Sequence, residues 1–291
     1  MDNNSNKIRI ITDAGTDIND EIIAGRDITV IPMRITRSDD VDFMSNEITS
    51  EQLFEDMRSG YFYTTSQISI NTYLVLFEEY AKKNIPVIYI GLSSGLSGTI
   101  STANVAAMEI REMYPDCTIK IIDSKVASAS YGFAAIKAYD MVEDGHTIEE
   151  VEEFIINYLS QWEHFFTVAS YDFLLRGGRV SKSTAIIAGA MSIYPILSIN
   201  ETGRLEAVDK VRGHKKAVNK IIEKIKQISD DCGETHAHII HTNDADQLES
   251  TISALKEKTN ITSITSSIFG CVIGTHTGPS TLGIIIHNKN K

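Results

Sequence analysis

This chain of 291 residues has little that could cross-link it. It holds three cysteines, Cys117, Cys232 and Cys271, far apart and with no Cys-x-x-Cys pair. An odd, scattered set argues for a reducing compartment and against a disulfide framework or a structural zinc site. Positive charge is also short: 27 Lys and Arg stand against 39 Asp and Glu, a net charge of −12. A surface of that sign repels phosphate backbones and anionic lipid surfaces, which counts against nucleic-acid binding. No run of about 18 apolar residues is present, so no transmembrane segment is expected. Residues 1–7 lack the basic-then-apolar build of a signal peptide, and the expected location is the cytoplasm. There is no Gly-Lys-Ser/Thr of a Walker A loop, no Gly-x-Gly-x-x-Gly and no protein-kinase signature. Repeats, low-complexity tracts and long linkers are missing too.

What is present is an ordinary globular composition, 42% hydrophobic and 23% charged, in a chain longer than one core usually serves. Short apolar runs alternate with helical spacing. Strands are predicted over 8–12, 28–35, 87–91 and 118–122, and helices over 72–83, from a Ser97 cap to 113, and over 129–142. This rhythm predicts a parallel sheet covered on both faces. Further on, a strand over 165–170 is predicted, with a hairpin of 193–199 and 204–211 around Asn200-Glu201-Thr202-Gly203. A helix over 215–228, a strand over 236–241, a helix over 245–256 and strands near Ile264 and over 282–287 complete it. The fold class is therefore α/β with two domains, 1–160 and 161–291, divided in the acidic helical stretch 147–160.

Four clusters carry polar chemistry. Thr64-Thr65-Ser66-Gln67 precedes a predicted helix. Its hydroxyls read either as ordinary N-caps or as an anion site, since free N–H groups and hydroxyls both donate to a carboxylate or phosphate. Gly91-Leu92-Ser93-Ser94-Gly95-Leu96-Ser97-Gly98-Thr99 is a strand-to-helix turn, where open α/β sheets bind ligands. Four hydroxyls and three glycines in nine residues exceed what a cap needs. His276 sits in a Gly-Pro turn, Gly274-Thr275-His276-Thr277-Gly278-Pro279, away from any apolar periodicity. Arg176-Gly177-Gly178-Arg179 places two arginines that either pair within the fold or meet a ligand or partner. His236, His238 and His241 resemble a metal cluster, but no further ligand type is evident nearby, and no metal or cofactor is expected. Asp13 and Asp123 end predicted strands, as turn formers or as groups that orient a neighbour.

Taken in order, these pieces resemble the DegV family of bacterial fatty-acid-binding proteins. The resemblance runs through Thr12-Asp13, Thr65-Ser66-Gln67, Leu92 to Thr99, Asp123-Ser124 with Gly132, Leu175 to Arg179, Pro195-Ile196-Leu197, Gly203 and His276-Thr277-Gly278-Pro279. It departs at Ala14, where a Ser usually follows the Asp, at Ile68 for a Pro, and at Ser280 for the last Gly of Gly-Pro-Gly. The resemblance implies a parallel-sheet N-terminal domain and a mixed-sheet C-terminal domain with the ligand at their junction. It implies a long-chain fatty acid whose carboxylate is held by Thr65, Ser66, Ser93, Ser94 and His276 while its tail lies in an apolar cavity. It further implies a carrier without activity of its own, the binding subunit of a fatty acid kinase. A separate ATP-dependent subunit makes the acyl phosphate for phospholipid synthesis. Neutral hydroxyls and a His suit a carboxylate that must stay nucleophilic, and Arg176 and Arg179 are candidates for docking the kinase.

Two enzymatic readings compete. A Ser94/His276 hydrolase would use Asp13 or Asp123 to orient the His, but no Gly-x-Ser-x-Gly elbow is expected, since Ser94 has Leu92 and Leu96 at the flanking positions. An autonomous small-molecule kinase lacks its phosphate-binding signature.

Overall fold

The computed structural model describes residues 7–18, 23–180, 193–232 and 235–291. Two compact units form, one from Met1–Arg34 and Ser66–Ser160, the other from Ile35–Thr65 and Gln161–Lys291. The expected first domain over 1–160 is thus interrupted, because 35–65 belongs with the second unit.

The first unit is built on a four-stranded sheet in the order β2 (Ile28–Ile31), β1 (Arg9–Asp13), β6 (Val87–Gly91), β7 (Ile119–Asp123). All three pairings are parallel. Every residue of β6 is buried, the pattern of a strand covered on both faces. Helices α2 (Ile70–Ala81), α3 (Thr99–Met113), α4 (Ala129–Glu143) and α5 (Ile148–Ser160) supply the cover. Small residues, Ala103, Ala106 and Ala107 on α3 and Ala134, Ala135 and Ala138 on α4, are fully buried and let the helices lie close.

A buried polar hub closes the carboxyl end of β1. Asp13 accepts from the hydroxyls of Tyr89 and Tyr131, both at 2.7 Å, and from the amides of Leu92 and Gly15. Tyr73 donates in turn to the Tyr89 hydroxyl at 2.8 Å. A desolvated carboxylate is tolerable only when its lone pairs are satisfied in this way.

The run predicted as one strand over 28–35 is two. Pro32 has no amide to donate, so β2 ends at Ile31, and β3 (Arg34–Arg37) starts a new sheet. This sheet has the order β4 (Asp42–Met44), β3, β5 (Tyr63–Thr65), with β3 and β5 antiparallel, and helix α1 (Ser50–Arg58) lies between β4 and β5 in the chain. Neither α1 nor β4 is predicted from the sequence. The larger sheet of the second unit has the order β10 (Leu205–Arg212), β9 (Ile193–Ile199), β8 (Trp162–Thr167), β13 (Leu282–His287), β11 (His236–His241), β12 (Ser263–Ile268). It is mixed: β11 and β12 run parallel while the other pairs are antiparallel. The core between this sheet and helices α7 (His214–Cys232) and α8 (Ala245–Lys258) includes Ile221, Ile225, Leu255, Ile239 and Ile284, all fully buried.

Candidate functional site

The site residues expected from the sequence fall into two sets, one in each unit. In the second unit, Thr65 ends β5, and His276 lies in the short helix α9 (Cys271–Thr277) rather than in an open turn. The Gly-Pro pair comes one step later, with Gly278 as the C-cap. Helix α9 packs on α1, where a side chain on Gly274 would come within 2.9 Å of Phe54. Gly278 has φ +76, and a Cβ there would overlap the ring of Phe173 at 2.2 Å. Both constraints fix where His276 points.

His276 Nε2 lies 2.8 Å from the Thr65 hydroxyl oxygen. Its other nitrogen, Nδ1, is buried with no hydrogen-bond partner among the described residues. That edge of the ring faces Gly177, where a Cβ would stand 2.1 Å from Nδ1. Burial, reinforced by the charge of Arg179, pushes the imidazole pKa down to about 3, so the ring is neutral near neutral pH. A neutral imidazole carries one proton. On Nδ1 it would be a buried donor with no acceptor, so it belongs on Nε2 and is donated to Thr65. The Thr65 hydroxyl, its oxygen already accepting, then has its own proton free to donate outward.

The arginines frame the same region. Arg176, at the end of helix α6 (Asp172–Arg176), is exposed and lies over the Phe62 ring, 3.5 Å from its centroid. It makes no ion pair among the described residues. Arg179 is half-buried and donates to the Gly177 carbonyl, and burial lowers its pKa.

In the first unit the register Gly91↔Asp123 sets the turn after β6 beside the turn after β7. Ser94 is exposed, and its amide donates to Asp123 Oδ1 at 3.0 Å. Lys125 donates from Nζ to the Ser94 hydroxyl oxygen at 2.9 Å and pairs with Asp123 Oδ2 at 2.6 Å. Burial would raise the Asp123 carboxyl, but its bonds with Lys125 and Ser94 hold it below the usual range. Ser93 is different. Gly91-Leu92-Ser93-Ser94-Gly95 does spell Gly-x-Ser-x-Gly centred on Ser93, an elbow that inspection of Ser94 alone overlooks. The Ser93 side chain is fully buried, however, and its oxygen accepts from the Gly95 amide. A nucleophile elbow requires an exposed oxygen. Ser66 is exposed, and its amide donates to the Arg34 carbonyl at 3.0 Å.

Helix capping does not account for Thr65 and Ser66. The N-cap of α2 is Ser69, whose side chain accepts from the Thr72 amide. The histidines of β11 have partners of their own. His236 meets Ser263 and Thr265, and His238 meets Thr265 and Ser267, all across the pairing with β12. Lys125 was missed by sequence reasoning. The available signal was its place at the carboxyl end of β7, next in the sheet to β6.

The DegV family model matches residues 7–289. The chain belongs to the DegV family. A DegV domain-containing protein of Clostridium perfringens is 31% identical over 287 residues, spanning 98% of this chain and 99% of its own. One from Caldanaerobacter subterraneus is 34% identical over 283 residues, spanning 97% and 99%. In three dimensions this DegV chain is similar to the fatty-acid-binding DegV family protein of Thermus thermophilus, with a TM-score of 0.86 and 26% identity over 97% of this chain and 99% of that one. It is also similar to DegV of Bacillus subtilis, a fatty acid binding protein, with a TM-score of 0.83 and 28% identity over 97% and 99%. The DegV fold is thus α/β, with a parallel N-terminal sheet and a mixed C-terminal sheet. Among the described residues no helix is long and apolar enough to cross a membrane.

Proposed function

We propose that this DegV protein binds a long-chain fatty acid by its carboxylate and presents it to a separate ATP-dependent kinase subunit. The observation that carries this reading is the Thr65 hydroxyl backed by His276 Nε2 at 2.8 Å, a hydroxyl turned into a donor for an anion. Ser94 is exposed, and its hydroxyl oxygen accepts from Lys125 beside Asp123. Thr65 and Ser94 are the head-group donors, with Ser66 and Ser93 beside them in sequence and His276 holding Thr65. The fatty-acid-binding relatives of Thermus thermophilus and Bacillus subtilis point to the same ligand class.

The energetics are adequate. A palmitate-like tail removes about 15 methylene-sized groups from water at roughly 0.8 kcal/mol each. That gross term exceeds the cost of ordering a flexible ligand. In the kinase step a carboxylate oxygen attacks the γ-phosphorus of ATP, the bond to ADP breaks, and an acyl phosphate forms. Donors that are neutral hydroxyls leave the carboxylate nucleophilic. Lys125 modifies that expectation, yet its charge is matched by Asp123. Arg176, exposed and stacked on Phe62, is the residue proposed to dock the kinase, with Arg179 beside it. A hydrolase has less support: the Ser94 oxygen accepts from an ammonium, which occupies a lone pair that a nucleophile would use.

Organic extraction and mass spectrometry of protein purified from a bacterial host test the carrier reading, with a co-purifying long-chain fatty acid expected. Protein that is free of ligand and fails to take up added palmitate would end it. With an ATP-dependent fatty acid kinase subunit supplied, Arg176→Ala is expected to bind palmitate normally but form less acyl phosphate. Normal acyl phosphate formation would remove the docking role and leave the carrier.

A further inference from the structure

We propose that Asp56 is a positioning residue for the head-group pair: through Tyr63 and Arg37 it ties helix α1 to strand β5 and so sets the Thr65 hydroxyl against His276. The inference rests on the fatty-acid reading for its ligand and deepens it.

The two members of the pair come from separate elements that share one support. Along β5, Tyr63 and Thr65 are two residues apart and lie on one face of the strand, with exposed Thr64 between them on the other. Thr65 meets His276 on α9, and the Tyr63 hydroxyl donates to Asp56 Oδ2 on α1. Helix α1 in turn carries α9. The Cys271 thiol donates to the Ile48 carbonyl, just ahead of α1, at 3.2 Å, and Gly274 lies against Leu53 and Phe54. Asp56 therefore closes a circuit of contacts that runs from β5 to α1, on to α9, and back to β5.

The link at Asp56 is made by a charge. Asp56 is buried, and it accepts from Gln52 Nε2 at 2.8 Å on Oδ1 and from Arg37 Nη1 at 2.9 Å on Oδ2, beside the Tyr63 hydroxyl. Arg37 stands directly opposite Tyr63 in the β3–β5 pairing, so the carboxylate holds both strands at one level. The rest of the guanidinium donates to Asp39, at 2.8 and 3.0 Å, and its Cζ lies 4.7 Å from the Tyr61 ring centroid. Further along the same pairing, fully buried Ile35 stands opposite Thr65. Apolar packing alone would hold α1 on these strands without fixing its register, whereas three directional bonds to one buried carboxylate admit a single position. A slip there passes to Thr65, whose hydroxyl at 2.8 Å from Nε2 has little distance to lose before the bond weakens.

The test uses delipidated full-length protein and two readouts. Tyr63→Phe keeps the ring and removes the bond to Asp56, and it is expected to weaken palmitate about fivefold in equilibrium titration. In a Thr65→Val background the same change is expected to add less than about twofold, because the tie acts through Thr65. Without ligand, the ring-nitrogen resonances of His276, assigned by comparison with His276→Gln, are expected to move in Tyr63→Phe while those of His238 and His287 stay. Asp56→Asn, which keeps the shape and loses the charge, is expected to give both results and stands in if Tyr63→Phe does not fold. Ile225→Val, a core change in α7 away from the tie, is expected to lower the melting temperature with neither effect. Unchanged palmitate affinity in Tyr63→Phe, an equal loss in the Thr65→Val background, or unmoved His276 resonances would each overturn the proposal and leave the fatty-acid reading standing. Wild-type protein that takes up no palmitate overturns that reading, and the His276 resonances still decide the tie.

Discussion

The two units of this DegV protein bury polar groups by opposite chemistry. The first gathers neutral donors around a carboxylate: two tyrosine hydroxyls and two backbone amides converge on Asp13. Burial first, and then the Asp13 charge, raise the pKa of Tyr89 and Tyr131 well above their ordinary value, so these phenols stay neutral. The second unit buries imidazoles. Burial lowers His238 and His276 to about 3 and His287 to about 4. A carboxylate held by several donors has its charge satisfied in place. A buried imidazole is comfortable only while it lacks its second proton. The first arrangement is vulnerable to losing a partner, the second to acid.

The largest expected effect comes from removing the hub. Asp13→Ala leaves two phenols and two amides without their acceptor, at a cost of about 3–5 kcal/mol. Urea denaturation measures the loss, and hydrogen exchange should show it in β1 and β6 while β11 and β13 keep their protection. A loss under about 1 kcal/mol would mean the carboxylate is replaceable by water and the contrast between the units is wrong.

Acid breaks the other side of the comparison. Unfolded, these imidazoles take a proton near pH 6.5; folded, they resist it down to about 3 or 4. Below about 6.5 the unfolded state binds more protons, so the stabilisation is full above that pH and is lost as pH falls toward 4, on the order of a few kcal/mol in all. Trp162, the single tryptophan, lies 4.9 Å from the His287 ring and reports on this unit. Its emission is expected to change as acid weakens the second unit, with a lower urea midpoint at pH 5 than at pH 7. Identical midpoints would show that the histidines are not the acid-sensitive element.

A smaller effect sharpens the account of the site. Gly177→Ala puts a methyl group where His276 Nδ1 now stands, 2.1 Å from the new carbon. Displacing the ring is expected to cost about 1–3 kcal/mol and to weaken palmitate uptake through Thr65. Calorimetry on the variant checks both, and unaltered binding would separate His276 from the head group. The smallest effect is a gain. Ser280 holds φ +67 where the family has glycine, and its amide donates to Thr242. Ser280→Gly keeps that bond and relieves the backbone, with an expected rise in stability of about 0.5 kcal/mol in thermal melts. A decrease would mean that the serine side chain makes a compensating contact.

The sequence by itself determined the βαβ rhythm of the first unit, the hairpin of β9 and β10, and the hydroxyl-rich turn after β6. Each is written in residues close together in the chain: apolar period, a Gly turn, a strand running into a helix, although that helix is capped at Gly98 without a side-chain bond and not at the expected Ser97. It also put Thr65 and His276 on the same short list, through the ordered motifs that resemble the DegV family. Only the tertiary structure decided that 35–65 joins the second unit, because Pro32 ends a ladder locally but does not say which sheet the chain enters next. Nor could local pattern decide that His276 stands behind a hydroxyl 211 residues away, or that a lysine after β7 stands behind Ser94. The physical reason is that periodicity and capping act within a few residues. The direction of a hydroxyl proton depends on which donor the fold brings to its oxygen from elsewhere in the chain.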